Sequence, residues 1–159
     1  MKKFLLILLA PLATGNSMHA ATLVESNRMP DALFGVSVSA SGTTGLVGAS
    51  RADNGNGSAY LFRSLDTATG TITENVKLVA ADGYGNYGND FGTSVSLAGT
   101  MGLVGASQRG NGFQGLAFVF QGLDTATGTV QANVTLIASG GRPNDRFGTS
   151  VSLSGAVGL

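Results

Sequence analysis

The chain of 159 residues holds one histidine, His19, and no cysteine, so it lacks the usual pairing of a nucleophile with a neutral-pH base. Its nine Asp and Glu residues are scattered. Asp66 and Asp124 hold the same place in two copies of an Asp-Thr-Ala-Thr-Gly turn, where an Asp side chain is expected to cap the local backbone. Serines are numerous but fall in alternating segments with no base nearby in sequence. An acid pair assembled by folding stays open at this level. Oxygen donors are densest in Asp82-Gly-Tyr-Gly-Asn-Tyr-Gly-Asn-Asp90, where Asp82, Asn86, Asn89 and Asp90 are the metal candidates. The stretch lacks the spacing of an EF-hand loop. The counterpart loops, 26–33 and 139–146, do not repeat its acids. The reading is a solvated loop, with no metal and no cofactor; Tyr84 and Tyr87 offer it a surface for sugar or protein.

The bulk numbers narrow the class further. Lys+Arg and Asp+Glu both number 9, which gives no basic footprint for nucleic acid. Charged residues are 11% of the chain, against about 25% in ordinary domains. With 25 Gly and 3 Pro and no three-residue period, turns should be many. The first twenty residues have the layout of a secretory signal peptide: Lys2 and Lys3, an apolar run from Phe4 to Ala10, then small and polar residues up to Ala20. The run is shorter than the roughly 20 residues that span a bilayer. Residues 1–20 are therefore expected to be removed on export, with Ala21 the mature start and no transmembrane span left in the mature chain. Its destination is the periplasm, the cell surface or the medium.

Self-similarity is the strongest pattern. Phe34-Gly-Val-Ser-Val-Ser39 returns as Phe91-Gly-Thr-Ser-Val-Ser96 and Phe147-Gly-Thr-Ser-Val-Ser152, at spacings of 91 − 34 = 57 and 147 − 91 = 56. Gly45-Leu-Val-Gly-Ala-Ser50 returns as Gly102-Leu-Val-Gly-Ala-Ser107, and Val76-Lys-Leu-Val-Ala80 as Val134-Thr-Leu-Ile-Ala138. Ala21-Thr-Leu-Val-Glu25 occupies the place of Val76 to Ala80. Phe91, Thr93, Val95 and Leu97 alternate with Gly92, Ser94, Ser96 and Ala98, the period of a strand. Phe147 to Ser154 alternates in the same way. A solvated second face would carry charge. One of Gly and Ser predicts a second sheet packed closely on it. Leu116 to Phe120, apolar on both faces, reads as a buried third strand, and Thr129 to Ala138 as a fourth. Four short strands per long repeat fit propeller blades.

Phe-Gly followed about 14 residues later by Gly-Ala-Ser resembles the FG-GAP repeat of integrin α-chains and many bacterial surface proteins; the Met-Lys-Lys start is bacterial in style. The resemblance implies an all-β fold of four-stranded antiparallel β-propeller blades, and a protein-binding or glycan-binding role without catalysis. The structural motif positions are Phe34, Gly35, Gly48, Ala49, Phe91, Gly92, Gly105, Ala106, Phe147 and Gly148, the three Phe side chains being expected to bury against adjacent blades. The sequence departs from the family in three respects, two in its residues and one in its length. Ser50 and Ser107 stand where the family has Pro. The hairpins 40–44, 98–101 and 154–157 carry no carboxylate, so the family's calcium is not carried over. The expected organisation is a signal peptide (1–20), a fourth-strand-like segment and loop (21–33), repeat 1 (34–90), repeat 2 (91–146) and a partial repeat 3 (147–159). The partial repeat suggests a truncated propeller whose open blade faces self-associate. A structural spacer, or a hydrolase-type propeller without its site, are the other functions such a scaffold could serve.

Overall fold

The computed structural model describes residues 20–27, 29–80, 89–109 and 112–155. Each repeat forms an antiparallel sheet of four strands. The first blade holds β2 (Phe34–Ser41), β3 (Thr44–Ala49), β4 (Ser58–Phe62) and β6 (Val76–Val79); the second holds β7 (Phe91–Ala98), β8 (Met101–Ala106), β9 (Leu116–Phe120) and β11 (Val134–Leu136). Gly42 (φ 57°) and Gly99 (φ 55°) make the left-handed turns that close the β2–β3 and β7–β8 hairpins. Register repeats as well: Val38 faces Val47 in one blade and Val95 faces Val104 in the other.

The segment read as one long fourth strand is two strands. β10 (Gly128–Gln131) and β11 are separated at Asn133, and β5 (Gly70–Thr73) and β6 at Asn75. The asparagine is the cause. Its amide N–H donates to the third strand (Asn75 to Leu61 O, 2.8 Å; Asn133 to Val119 O, 2.9 Å). Its side-chain oxygen accepts from the residue just past that strand (Arg63 N, 2.6 Å; Gln121 N, 2.7 Å). With both groups engaged, the chain bends, and the half before the asparagine leaves its own sheet. It pairs in parallel with the preceding unit: β10 on β6, and β5 on β1 (Ala21–Val24). The register is shared, Val76 opposite Gly128 and Ala21 opposite Gly70. β1 thus stands where a preceding blade's fourth strand would stand.

The blades meet face to face through their first strands. Ser37 Oγ donates to Gly92 O (2.8 Å), and Ser39 Oγ and Ser41 Oγ accept from Leu97 N (2.9 Å) and Gly99 N (3.0 Å). The pattern recurs one repeat on, from Ser94 Oγ to Gly148 O (2.8 Å) and from Leu153 N to Ser96 Oγ (2.9 Å). The serine face was therefore correctly read as a packed one. Glycine makes the approach close enough: a Cβ on Gly48 would lie 2.0 Å from Gly92 O, and one on Gly105 1.9 Å from Gly148 O. At the opposite end of the seam Arg63 reaches across, its guanidinium donating to Leu123 O (2.5 Å) and Ala126 O (2.6 Å).

The main core fills the seam. Leu46, Leu61 and Leu78 of the first blade pack with Phe91, Val95, Phe118 and Phe120 of the second. A second cluster, with Leu23, Val47, Tyr60 and Phe62, lies on the first blade's other face under β1. The three motif phenylalanines differ in burial, which corrects the expectation that each would bury alike. Phe91 is fully buried, Phe34 half-buried and Phe147 38% exposed. Their ring partners lie in their own blade (Phe91 to Phe118, 5.4 Å; Phe34 to Tyr60, 5.7 Å), and the neighbouring blade supplies the cover. The alternating stretch after Phe147 is not a strand. It makes one parallel bridge, Gly115 to Phe147, and the serine bonds above. The hairpin mate that holds β2 and β7 extended would begin at residue 157, outside the described residues.

The Asp turns also differ from expectation. Thr67 N and Oγ1 donate to Ser64 O, and Thr125 N and Oγ1 to Gly122 O, so backbone and threonine close these turns instead of Asp66 and Asp124.

Candidate interaction surface at the loop end

At one end of the seam the segments entering β2 and β7 meet those leaving β3 and β8. They enclose an open groove of about 440 Å³ lined by Met29, Pro30, Asp31, Arg51, Asn54, Gly55, Asp90 and Gln108. Positive φ concentrates here: Asp31 (64°), Leu33 (55°), Asp53 (51°), Asn54 (58°) and Asp90 (52°). Left-handed backbone outside glycine costs energy, and it persists only where the surroundings fix it. The surroundings do so. The turn Ala52–Gly55 is pinned by Asp53, whose carboxylate pairs with Lys77 Nζ (2.6 Å) and accepts from Ser58 Oγ (2.7 Å).

Of the four oxygen donors singled out as metal candidates, Asp82 and Asn86 lie outside the described residues, as do Tyr84 and Tyr87. Asn89 is buried and its side-chain amide donates to Asn56 Oδ1 (3.3 Å). The Asp90 carboxylate accepts from Gln108 Nε2 (2.5 Å) at the groove wall. Asn89 and Asp90 therefore turn toward different partners. Among the described residues no group of three or more His, Cys, Asp or Glu is placed to hold a metal ion.

Of the ten motif positions, Gly48, Gly92, Gly105 and Gly148 make the close seam contacts, whereas Phe34 packs in the second cluster. Gly92 and Gly148 carry φ of 90° and 82°, and their carbonyls take the serine bonds. Gly48 and Gly105 make room for them, while Ala49 and Ala106 are fully buried. Gly35 has the same backbone shape (φ 88°) but is exposed. The FG-GAP repeat profile matches residues 18–62 and 72–120, which is 45 + 49 = 94 of 159 residues. The chain belongs to the FG-GAP repeat family. Such repeats form propeller-like interaction modules, and the two sheets described above are blades of that kind. No curated protein matches the chain. In this FG-GAP chain the Phe-Gly glycine of one blade rests on the Gly-Ala glycine of the blade before it, so the two halves of the motif serve one contact.

Sequence reasoning missed the groove, because its residues come from four separate segments. It also missed Glu25. This carboxylate follows β1 and is buried, and among the described residues its Oε2 has no hydrogen-bond partner. Burial raises its pKa, and nearby Glu74 adds to the rise, while a hydrogen bond with Tyr60 opposes it. Burial and the same carboxylate push the Tyr60 hydroxyl up. Glu74 is occupied in its turn, accepting from Ser26 N (2.8 Å) and Ser26 Oγ (2.5 Å). A carboxyl whose pKa rises on folding favours the fold in its protonated form. Its contribution is full below the unfolded value and is lost as pH rises through the folded one.

Among the described residues no helix is long and apolar enough to cross a membrane. His19 and the rest of the leader-like segment lie outside the described residues.

Proposed function

We propose that this FG-GAP chain is an exported, non-catalytic recognition module that binds a protein or glycan in the groove at the loop end of its blade seam. The observation that carries the reading is that groove: rigid strands below, pinned left-handed loops above, and Arg51, Asp31, Asp90 and Gln108 offering donors and acceptors of both signs. Binding residues concentrate on loops held by a rigid scaffold. The loop between the second and third strands also differs between repeats, being one residue longer in the second. Gly55 in the first blade stands where the second has Phe113, 48% exposed. A spacer would have no use for such divergence. Catalysis has little support, since the only histidine falls in the leader-like segment and cysteine is absent. Residues 1–20 act as the signal for export, and residues 21–33, 34–90, 91–146 and 147–159 are the successive units.

The test is a glycan array and a surface-protein panel probed with the purified chain and with Arg51→Ala. Arg51 is exposed, so its truncation leaves the fold intact. The expected result is one ligand class retained by the parent chain, with affinity falling about tenfold or more in the variant, the scale of a lost charged contact. Binding unaffected by Arg51→Ala, or turnover of a panel member, would refute the reading.

A further inference from the structure

We infer that Asn54 is a site of spontaneous covalent modification, at which the fold lets the side-chain amide convert to a carboxylate while it protects Asn56 in the same turn. The segment Asn54-Gly55-Asn56-Gly57 holds two Asn-Gly pairs in succession. Glycine has no Cβ to shield its nitrogen, so the Gly N can attack the Asn Cγ. A new N–Cγ bond closes a five-membered succinimide. The Cγ–Nδ2 bond breaks, and ammonia leaves with the proton that the Gly N–H gives up. Solvent water then opens the ring. Cleavage of the new N–Cγ bond leaves an aspartate, whereas cleavage at the Asn backbone carbonyl leaves an isoaspartate with the chain routed through its side chain. One amide and one water become one carboxylate and one ammonia, and nothing is oxidised or reduced. The step needs a loose Asn side chain, a following N–H with no strong bond, and a backbone that can turn at the Asn.

The two pairs differ in all three respects. Asn56 Oδ1 accepts from Asn89 Nδ2 (3.3 Å), and Gly57 N donates to Ala52 O (2.8 Å). Gly57 is buried against β7, where an added Cβ would lie 2.1 Å from Phe91 O. Turning the chain at Asn56 would therefore open the seam. Asn54 is exposed, and among the described residues its side chain has no hydrogen-bond partner. The Gly55 N–H reaches Arg51 O only at 3.3 Å, longer than a good amide bond. Asn54 itself is left-handed (φ 58°, ψ 34°), so the turn that brings Gly55 N onto Cγ leaves a costly conformation behind. In a third pair, Asn111-Gly112, the asparagine lies outside the described residues. The product matters because of its place. Asn54 lines the groove, whose charged lining groups are Arg51, Asp31 and Asp90. A third carboxylate there shifts the groove toward negative charge beside its one cation. The site is fixed by the turn and does not depend on what the groove binds.

The experiment ages the purified chain in mildly alkaline buffer, folded and in concentrated urea, and maps its peptides by mass spectrometry that separates aspartyl from isoaspartyl products. In the folded chain Asn54 should convert on the order of tenfold faster than Asn56, because Asn56 must first lose the Gly57 hydrogen bond. In urea the two rates should converge, since both are Asn-Gly pairs. Asn54→Asp supplies the aspartyl product as a standard. It keeps a residue type that tolerates the left-handed backbone, and thermal unfolding checks that it folds. On anion exchange the aspartyl form of the aged chain should elute with this variant, later than the fresh parent chain. Equal rates at Asn54 and Asn56 in the folded chain would overturn the proposal. So would an Asn54 that converts in urea but not in the folded chain, or a preference for Asn54 that persists in urea. None of these outcomes bears on ligand binding, so the recognition reading is judged separately.

Discussion

Gly48→Ala is expected to destabilise the fold by about 3 kcal/mol or more, a large fraction of a domain's total stability. The added Cβ would sit 2.0 Å from Gly92 O, a backbone atom of β7 between Phe91 and Ser94, which are paired with Ala106 and Gly105 of β8. It would also lie 2.3 Å from Ser37 Oγ, the group that donates to that same carbonyl. Neither neighbour can yield without opening the seam. The backbone at Gly48 lies outside the left-handed region, so the penalty is steric alone. Gly140→Ala is the control: a Cβ there meets nothing within 4 Å and its φ is likewise ordinary. The control should stay within about 0.5 kcal/mol of the parent chain. Thermal or denaturant unfolding of both variants provides the measurement, with Gly48→Ala lowering the midpoint by roughly 10 °C. Equal effects at the two sites would contradict the close glycine contact.

The second large effect concerns the recurrent phenylalanine. Phe91→Ala removes a fully buried ring that packs on Phe118 and Phe120 beneath the first blade, and should cost about 3–5 kcal/mol. Phe34→Ala truncates a half-buried ring against Tyr60 and Phe62, and should cost about 1–2 kcal/mol. Phe147→Ala, at a ring 38% exposed, should cost under about 1 kcal/mol. One residue type in one motif thus yields a graded series, and the grade reports how much neighbouring blade covers each copy. Denaturant unfolding of the three variants measures it, and three equal losses would mean that each ring is held by its own blade alone.

Much of this architecture was legible in the residues. Alternation marked β2 and β7, permissive glycines marked the hairpin turns, and a face of Gly and Ser without charge announced a second sheet packed on it. Each is a local signal tied to a side-chain period or a backbone requirement. The parallel strands β5 and β10 were not legible, because what creates them is one asparagine, Asn75 or Asn133, whose backbone binds the third strand and whose side chain binds the residue just past it. A single asparagine among mixed polar and apolar residues carries no period. The strand expected after Phe147 is not formed among the described residues: alternation states which faces a strand would have, and the mate that would pair with it begins at residue 157, outside them. The groove was least legible, since Asp31, Arg51, Asp90 and Gln108 share no spacing and meet only when the blades stack.

The central claim is that adjacent repeats stack through their first strands, serine to backbone. Amide hydrogen exchange at Leu97 tests it most directly, because that N–H donates to Ser39 Oγ in the neighbouring blade (2.9 Å), 58 residues away in sequence. In the parent chain Leu97 should exchange slowly. In Ser39→Ala it should exchange on the order of tenfold faster, the worth of one net hydrogen bond. Val104 and Phe118, within the second blade, should keep their rates. A Leu97 amide that exchanges freely in the parent chain, or that does not respond to Ser39→Ala, would contradict the stacked-blade account.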